Sequence, residues 1–151
     1  MAEGGVTFNV LAGYSETFIS ATAGLITATG TAAKPIIFQK NYTGANPVMY
    51  AAPGTGLYDY IICLAGSDYI TFDGIDIQEN SVNTDPTTMM EYGFAFFKAS
   101  ANNGAQYNTI KNGTITMGNN PANWGIFSQN WDYTFPGASL TLAAASGANS
   151  F

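Results

Sequence analysis

The sequence predicts an all-β protein, built either from stacked parallel coils or as an antiparallel β-sandwich. Helical periodicity is almost absent, and Gly, Asn, Pro and Asp interrupt the chain at short intervals. The segments between these residues are short and rich in β-branched and aromatic side chains. Only 9% of the 151 residues are charged, so uncharged side chains can lie side by side on neighbouring strands without like-charge repulsion.

Each predicted strand is a run of β-branched, aromatic or other apolar residues bounded by turn-forming residues. These runs span residues 6–11, 18–21, 25–29, 36–39, 48–51, 60–64, 69–72, 75–78, 93–98, 108–111, 114–117, 125–128 and 139–142. Residues 79–90 carry no apolar period and are rich in Asn and Thr. They therefore predict a loop inserted between two strands.

An internal repeat favours stacked coils. Residues 69–77 (YITFDGIDI) align with residues 107–115 (YNTIKNGTI) at an offset of 38. A further unit begins at residues 124–128 (WGIFS), which echo residues 92–96 (YGFAF). A repeat of this length indicates units that bury their faces against their neighbours.

Two dipeptides favour the antiparallel alternative. Asp73-Gly74 and Asn112-Gly113 each lie between two predicted strands. Asp-Gly and Asn-Gly are the strongest short-range signals for a two-residue hairpin. From these patterns alone, both architectures remain open.

Five segments resemble the first coils of one family. They lie at residues 5–10 (GVTFNV), 33–40 (AKPIIFQK), 44–48 (GANPV), 66–76 (GSDYITFDGID) and 107–116 (YNTIKNGTIT). The chain thus resembles the right-handed parallel β-helix (pectin-lyase-like) proteins that Bacteroidota-type bacteria secrete in large multi-domain form. The resemblance covers about residues 5–128, with one departure at Gly113, where the family usually has a larger residue.

The resemblance implies one right-handed β-helix domain, with a cap at residues 1–34, coils at 35–130 and an irregular tail at 131–151. It also implies an extracellular or cell-surface location as part of a longer secreted protein. It says little about activity, because similar coils carry polysaccharide lyases, tailspikes and adhesins.

Composition excludes several classes of function. The chain has four cations, all of them Lys, against ten acidic residues, and it has no His. A net charge of −6 leaves no basic face for nucleic acid. Catalysis by a His base and metal binding by His are excluded as well. No stretch approaches the roughly 18 apolar residues of a spanning helix, so membrane insertion is not expected.

Acidic residues predict a possible cation site. The candidate ligands are Asp68, Asp73, Asp76 and Glu79. Carboxylates at the turns of a β-helix can gather around Ca²⁺, which takes six to eight oxygen ligands. The alternative is that these residues are solvated or form turns. A lyase could use Lys111 beside such a calcium ion as a base, the alternative being a solvated lysine.

Aromatic residues recur near the starts of predicted strands. Tyr69, Tyr107, Trp124 and Trp131 are the candidate carbohydrate-binding residues. If successive coils align them, their flat faces and polar edges suit sugar rings. Packing inside the coil is the alternative for each of them.

The expected function is therefore a non-catalytic extracellular module for cell-surface adhesion or polysaccharide binding. The chain contains no complete catalytic set, so the first alternative is the amino-terminal part of a polysaccharide lyase. The second is a self-assembling segment, because an uncapped β-helix end exposes unpaired strand edges. Its partners would then be further copies of the chain, stacked head to tail or in another homo-oligomer.

Overall fold

The computed structural model describes residues 5–141 and 144–151 as a parallel β-solenoid of about four turns. The described residues contain no helix, and hence none long and apolar enough to cross a membrane. The strands are β1 (Val6–Leu11), β2 (Ser15–Thr17), β3 (Leu25–Ile26), β4 (Ile36–Asn41), β5 (Val48–Tyr50), β6 (Tyr60–Ala65), β7 (Ile70–Asp73), β8 (Asp76–Gln78), β9 (Tyr92–Lys98), β10 (Thr109–Lys111), β11 (Ile115–Thr116), β12 (Trp124–Asp132) and β13 (Phe135–Ser139).

Each turn of the solenoid contributes one strand to each of three sheets. Sheet A has the order β1-β4-β7-β10, sheet B has β11-β8-β5-β2, and sheet C has β13-β12-β9-β6-β3. All strand pairs are parallel except β12 with β13. The prediction of stacked parallel coils is therefore confirmed.

The repeat predicted from the sequence corresponds to the register in which the strands of successive coils pair. Thr109 lies opposite Thr71 and Ile115 opposite Ile77, which is the offset of 38 residues. Trp124 lies opposite Tyr92, so the second echo in the sequence is confirmed as well. Residues 79–91 join β8 to β9 without a strand of their own, as predicted for the inserted loop.

The alternative prediction of an antiparallel sandwich is wrong. The two dipeptides that suggested hairpins lie at corners of the solenoid instead. Asp73-Gly74 and Asn112-Gly113 lie at the corner where the chain leaves sheet A for sheet B. Gly74 has φ 69° and Asn112 has φ 57°. A left-handed residue is needed both in a tight hairpin and at this corner, so the same dipeptides occur in both.

Two predicted strands differ in position. The strand expected at 18–21 lies earlier, at β2, and the Ala23 amide donates to the Ser20 carbonyl in a turn. The strand expected at 139–142 is instead β13, which pairs with β12. Leu142 lies outside the described residues, as do residues 1–4 of the expected cap.

The main core fills the space between the three sheets. It is made of inward-facing side chains, among them Ile70 and Phe94, both fully buried. The rings of Phe8, Phe38 and Phe72 stack along the solenoid axis, with centroids 4.8 and 5.0 Å apart. These distances match the spacing of neighbouring strands, so one ring from each of the first three turns continues the stack.

A second apolar cluster covers the outer face of sheet C. Cys63, Ala95 and Phe97 are buried there, against the half-buried rings of Trp131 and Tyr133. Strand β9 is consequently buried along its whole length. An apolar strand buried on both faces loses the alternation that a half-exposed strand shows.

The carboxyl-terminal tail adds a short rung to sheet A. Gly147 and Ser150 form parallel bridges with Gln106 and Thr109, respectively. The ring of Phe151 contacts Phe96, with centroids 5.4 Å apart. At the other end of the solenoid, β1, β2 and β3 are the outermost strands of their sheets.

Candidate functional site

Three aromatic residues of sheet C lie in register on successive turns. Tyr60 pairs with Tyr92, and Tyr92 pairs with Trp124. We call Tyr60, Tyr92 and Trp124 the aromatic column. Tyr92 is buried, and Trp124 at the outer position is 58% exposed. The column therefore ends in an indole ring that is open to solvent.

Phe127 supports this indole from within sheet C. Its ring lies 6.1 Å from the ring of Trp124 and stacks on Tyr92 at 4.3 Å. Burial raises the pKa of Tyr92 to about 12, so its hydroxyl stays protonated at neutral pH. The exposed Trp124 thus contacts the ring of Phe127, which is itself stacked on the buried Tyr92.

A buried polar network fixes the backbone at the base of the column. The carboxylate of Glu91 accepts hydrogen bonds from the Asp59 amide and from Asn120 Nδ2, both at 2.9 Å. The Tyr92 amide donates to the Asp59 carbonyl, and the Trp124 amide donates to the Glu91 carbonyl at 2.7 Å. Burial raises the pKa of Glu91. Asp59 and Glu91, which precede Tyr60 and Tyr92, therefore hold the strand starts in place.

The sequence reasoning missed this network. Glu91 lies 32 residues from Asp59 and 29 residues from Asn120, so no local pattern joins them. The only available signal was the polar residue that precedes each aromatic one: Asp59 before Tyr60 and Glu91 before Tyr92.

Tyr69 and Tyr107 form a separate stacked pair at the start of sheet A. Their ring centroids are 4.9 Å apart and the rings are within 15° of parallel. Both residues adopt a left-handed backbone conformation, with φ 54° for Tyr69 and 57° for Tyr107. Ala148, in the carboxyl-terminal tail, has φ 54°. Stacking covers one face of each ring, and Tyr107 is exposed.

Asparagine side chains secure this corner across the turns. Asn108 Oδ1 accepts from the Ile70 amide, and Asn108 Nδ2 donates to the Ser67 carbonyl at 2.8 Å. Asn149 repeats the arrangement one turn further, accepting from the Asn108 amide at 2.8 Å and donating to Ala105. These side chains replace backbone partners where the chain turns.

Trp131 differs from the other candidate aromatic residues. Its ring packs 6.0 Å from Phe97 and 5.2 Å from Phe127, and the edge of Tyr58 contacts it at 5.7 Å. It is half-buried in the outer cluster of sheet C. Sugar contact at Trp131 stays a prediction, and the packing role is the one its contacts describe.

The four predicted metal ligands have separate partners. Asp68 accepts from the Gln106 amide, and Asp76 accepts from Asn46 Nδ2 and the Thr114 amide, each at 2.8 Å. Glu79 accepts from Asn83 Nδ2 and from the Met90 amide, which closes the inserted loop. No group of three or more acidic, Cys or His residues suited to a metal ion occurs within residues 5–141 and 144–151. Calcium binding stays a prediction.

Asp73 and Lys111 form an ion pair on the outer face of sheet A, with 3.1 Å between Lys111 Nζ and Asp73 Oδ2. Asn112 Nδ2 also donates to Asp73 at 2.7 Å. The Asn112 hydrogen bond first, and then Lys111, lower the pKa of Asp73. Lys111, the residue considered as a base, is about half exposed and paired with this carboxylate.

Comparison with protein-family models, curated proteins and solved structures found no match to this chain. The structure therefore supports a β-solenoid architecture, and none of the comparisons supports membership of the pectin-lyase-like family.

Proposed function

We propose that the chain is a non-catalytic module of an extracellular β-solenoid protein that binds a polysaccharide or cell-surface glycan. The observation that carries this proposal is the aromatic column ending in the exposed indole of Trp124. Sugar rings offer apolar C–H faces, and an indole held from below provides a flat partner at low entropic cost.

Charge narrows the class of polysaccharide. The chain carries a net charge of −6 and has four Lys as its only cations. Long-range repulsion opposes a polyanionic glycan, whereas a neutral one is unaffected. We therefore expect neutral polysaccharides to bind more tightly than uronate-rich ones, and added salt to reduce the difference.

The polysaccharide lyase is the alternative to binding alone. It would need a base in contact with the sugar, and Lys111 on sheet A is the residue the sequence offers. The binding proposal instead places the sugar on sheet C at Trp124. The two proposals therefore differ in product formation and in the residue whose substitution matters.

Affinity electrophoresis against neutral and acidic polysaccharides tests the proposal. The gels are run with calcium and with chelator, and each sample is assayed for unsaturated product by ultraviolet absorbance. Retardation by a neutral polysaccharide without product is the expected result. Formation of product, or migration that no polysaccharide changes, would contradict a non-catalytic binding module. Loss of retardation in chelator would assign a calcium site.

A further inference from the structure

The first turn of the solenoid leaves an apolar hollow of about 630 Å³. Its wall includes Phe8, Val10, Phe18 and Ile26. The last three pack on the main core, and Phe8 stacks on Phe38. Phe8 is the outermost ring of the axial stack and is 48% exposed. The apolar side chains at this end therefore contact the core on one side and solvent on the other.

The hollow is bordered by an unpaired strand edge. The Val6 amide donates to the Pro35 carbonyl and the Ala12 amide to the Asn41 carbonyl. In a parallel ladder alternate residues face the same neighbour, so Phe8 and Val10 also pair with β4. The amides and carbonyls of Thr7 and Asn9 therefore face away from β4, on the side where sheet A has no further strand among the described residues.

This edge lacks the features that prevent pairing with another chain. Strand β1 is six residues long and contains no Lys and no Pro. Glu16 is the only charged residue in the segment 5–29. An uncharged, apolar edge strand of this length pairs readily with a further strand.

The two ends of the solenoid are not alike. At the far end, Gly147 and Ser150 extend sheet A, and Phe151 contacts Phe96. No comparable segment among the described residues covers β1. A second copy therefore finds its best match in another first turn rather than in the far end, which differs from the head-to-tail stacking that the sequence offered as one alternative.

We infer that two copies of this chain associate head to head, with β1 pairing antiparallel to β1 of the second copy about a two-fold axis at Phe8. This register places Thr7 opposite Asn9 of the other copy, and both residues face the free edge. They can exchange amide–carbonyl hydrogen bonds as a regular antiparallel pair. Val6 then lies opposite Val10, so inward side chains meet inward side chains.

The register also continues the aromatic stack. Phe8 meets Phe8 of the second copy as a non-hydrogen-bonded pair, whose Cα atoms are about 4.5 Å apart. The stack of Phe72, Phe38 and Phe8 would run through the axis into the same residues of the other copy. Burial of these open apolar surfaces supplies the driving force. The interface does not involve the aromatic column, so it is independent of sugar binding.

Light scattering over a range of concentrations tests the association. The expected mass rises to twice 15.9 kDa. Thr7→Pro removes an edge-facing amide, and Pro is tolerated on an edge where that amide makes no bond within the chain. Two donors per dimer are lost, so the dissociation constant rises about tenfold or more. Circular dichroism checks that the variant keeps its β structure.

A monomer at every concentration would overturn the inference, and so would a dimer that Thr7→Pro leaves unchanged. Cysteine cross-linking tests the register, because the pairing brings Thr7 close to Asn9 of the other copy. Thr7→Cys mixed with Asn9→Cys should form a disulfide-linked dimer, since the Cα separation of about 5.5 Å suits a disulfide. Native Cys63 is fully buried.

The matched control is Thr71→Cys mixed with Asn9→Cys, because Thr71 lies in the same column of sheet A but on an interior strand. This mixture should not cross-link. Cross-linking of Asn9→Cys with itself at the rate of the Thr7→Cys mixture would overturn the two-fold axis at Phe8.

Discussion

Gly113 lies against the backbone of Ile75, so closely that a Cβ at residue 113 would come within 2.3 Å of the Ile75 carbonyl oxygen. Gly113 is the position at which the sequence departs from the family that it resembles. The structure gives the reason: successive turns approach closely at this corner between sheets A and B. Glycine is the residue that allows the approach.

Gly113→Ala should therefore destabilise the fold. The added methyl group meets backbone, which cannot move aside as a flexible side chain would. We expect a loss of about 1–3 kcal/mol in the free energy of unfolding, measured by urea denaturation. Gly56→Ala is the matched control, because nothing lies within 4 Å of its added Cβ. Equal stability of the two variants would show that the added methyl group fits at the corner, and it would contradict this prediction.

Glu91→Ala should destabilise the base of the aromatic column. The substitution leaves the Asp59 amide and Asn120 Nδ2 without their acceptor in a buried site. We expect a cost of about 2–6 kcal/mol, since two donors lose their acceptor and each one left unpaired costs about 1–3 kcal/mol. Glu16→Ala, at an exposed position, is the control and should change stability by less than about 0.5 kcal/mol.

Asp73 should titrate below the ordinary aspartate pKa of 3.8, by NMR of its side chain. Asn112→Gly keeps the left-handed backbone and removes the largest cause of the shift. It should therefore raise the pKa of Asp73, and Lys111→Met, which removes the ion pair, should raise it as well. An unchanged Asp73 pKa in Asn112→Gly would contradict the assignment of this amide hydrogen bond as a cause of the shift.

The same shift predicts how stability depends on pH. The pKa of Asp73 is lower in the folded chain than in the unfolded chain, so the ionised form stabilises the fold above about pH 3.8. This contribution is lost as the pH falls through the folded pKa. Asp73→Asn should remove that part of the acid destabilisation, and an unchanged acid profile would contradict the assignment.

Trp131→Ala and Trp124→Ala should differ in their effect on stability. Trp131 packs on Phe97 and Phe127, so truncation should cost about 2–4 kcal/mol. Trp124 is mostly exposed, and its truncation should cost less than about 1 kcal/mol. Thermal unfolding of both variants checks the difference. Similar melting temperatures would contradict the packing role of Trp131.

Much of the fold could be predicted because each turn buries the same positions. The offset of 38 residues and the echo of Tyr92 at Trp124 are the strand registers themselves. The direction of pairing could not be decided from the sequence alone. A left-handed residue such as Asn112 serves a hairpin and a solenoid corner equally well.

The site was predictable only in part. The aromatic residues near strand starts were visible, and their alignment follows from the repeat. The acidic residues are close in sequence, but within the described residues no three of them form a metal-binding group. Asp73 ends a strand of sheet A, and Asp76 begins one of sheet B beyond the corner at Gly74. The partners of Glu91 were hidden because contacts across turns leave no short-range pattern.

Affinity electrophoresis of Trp124→Ala on the best-retarding neutral polysaccharide is the most direct test of the central claim. Val82→Ala is the control, because Val82 is an exposed apolar residue of the inserted loop and is not part of the aromatic column. The account predicts that Trp124→Ala loses most of the retardation, at least tenfold in affinity, while Val82→Ala migrates like the unmodified chain. Undiminished retardation of a folded Trp124→Ala variant would contradict a sugar site on the aromatic column.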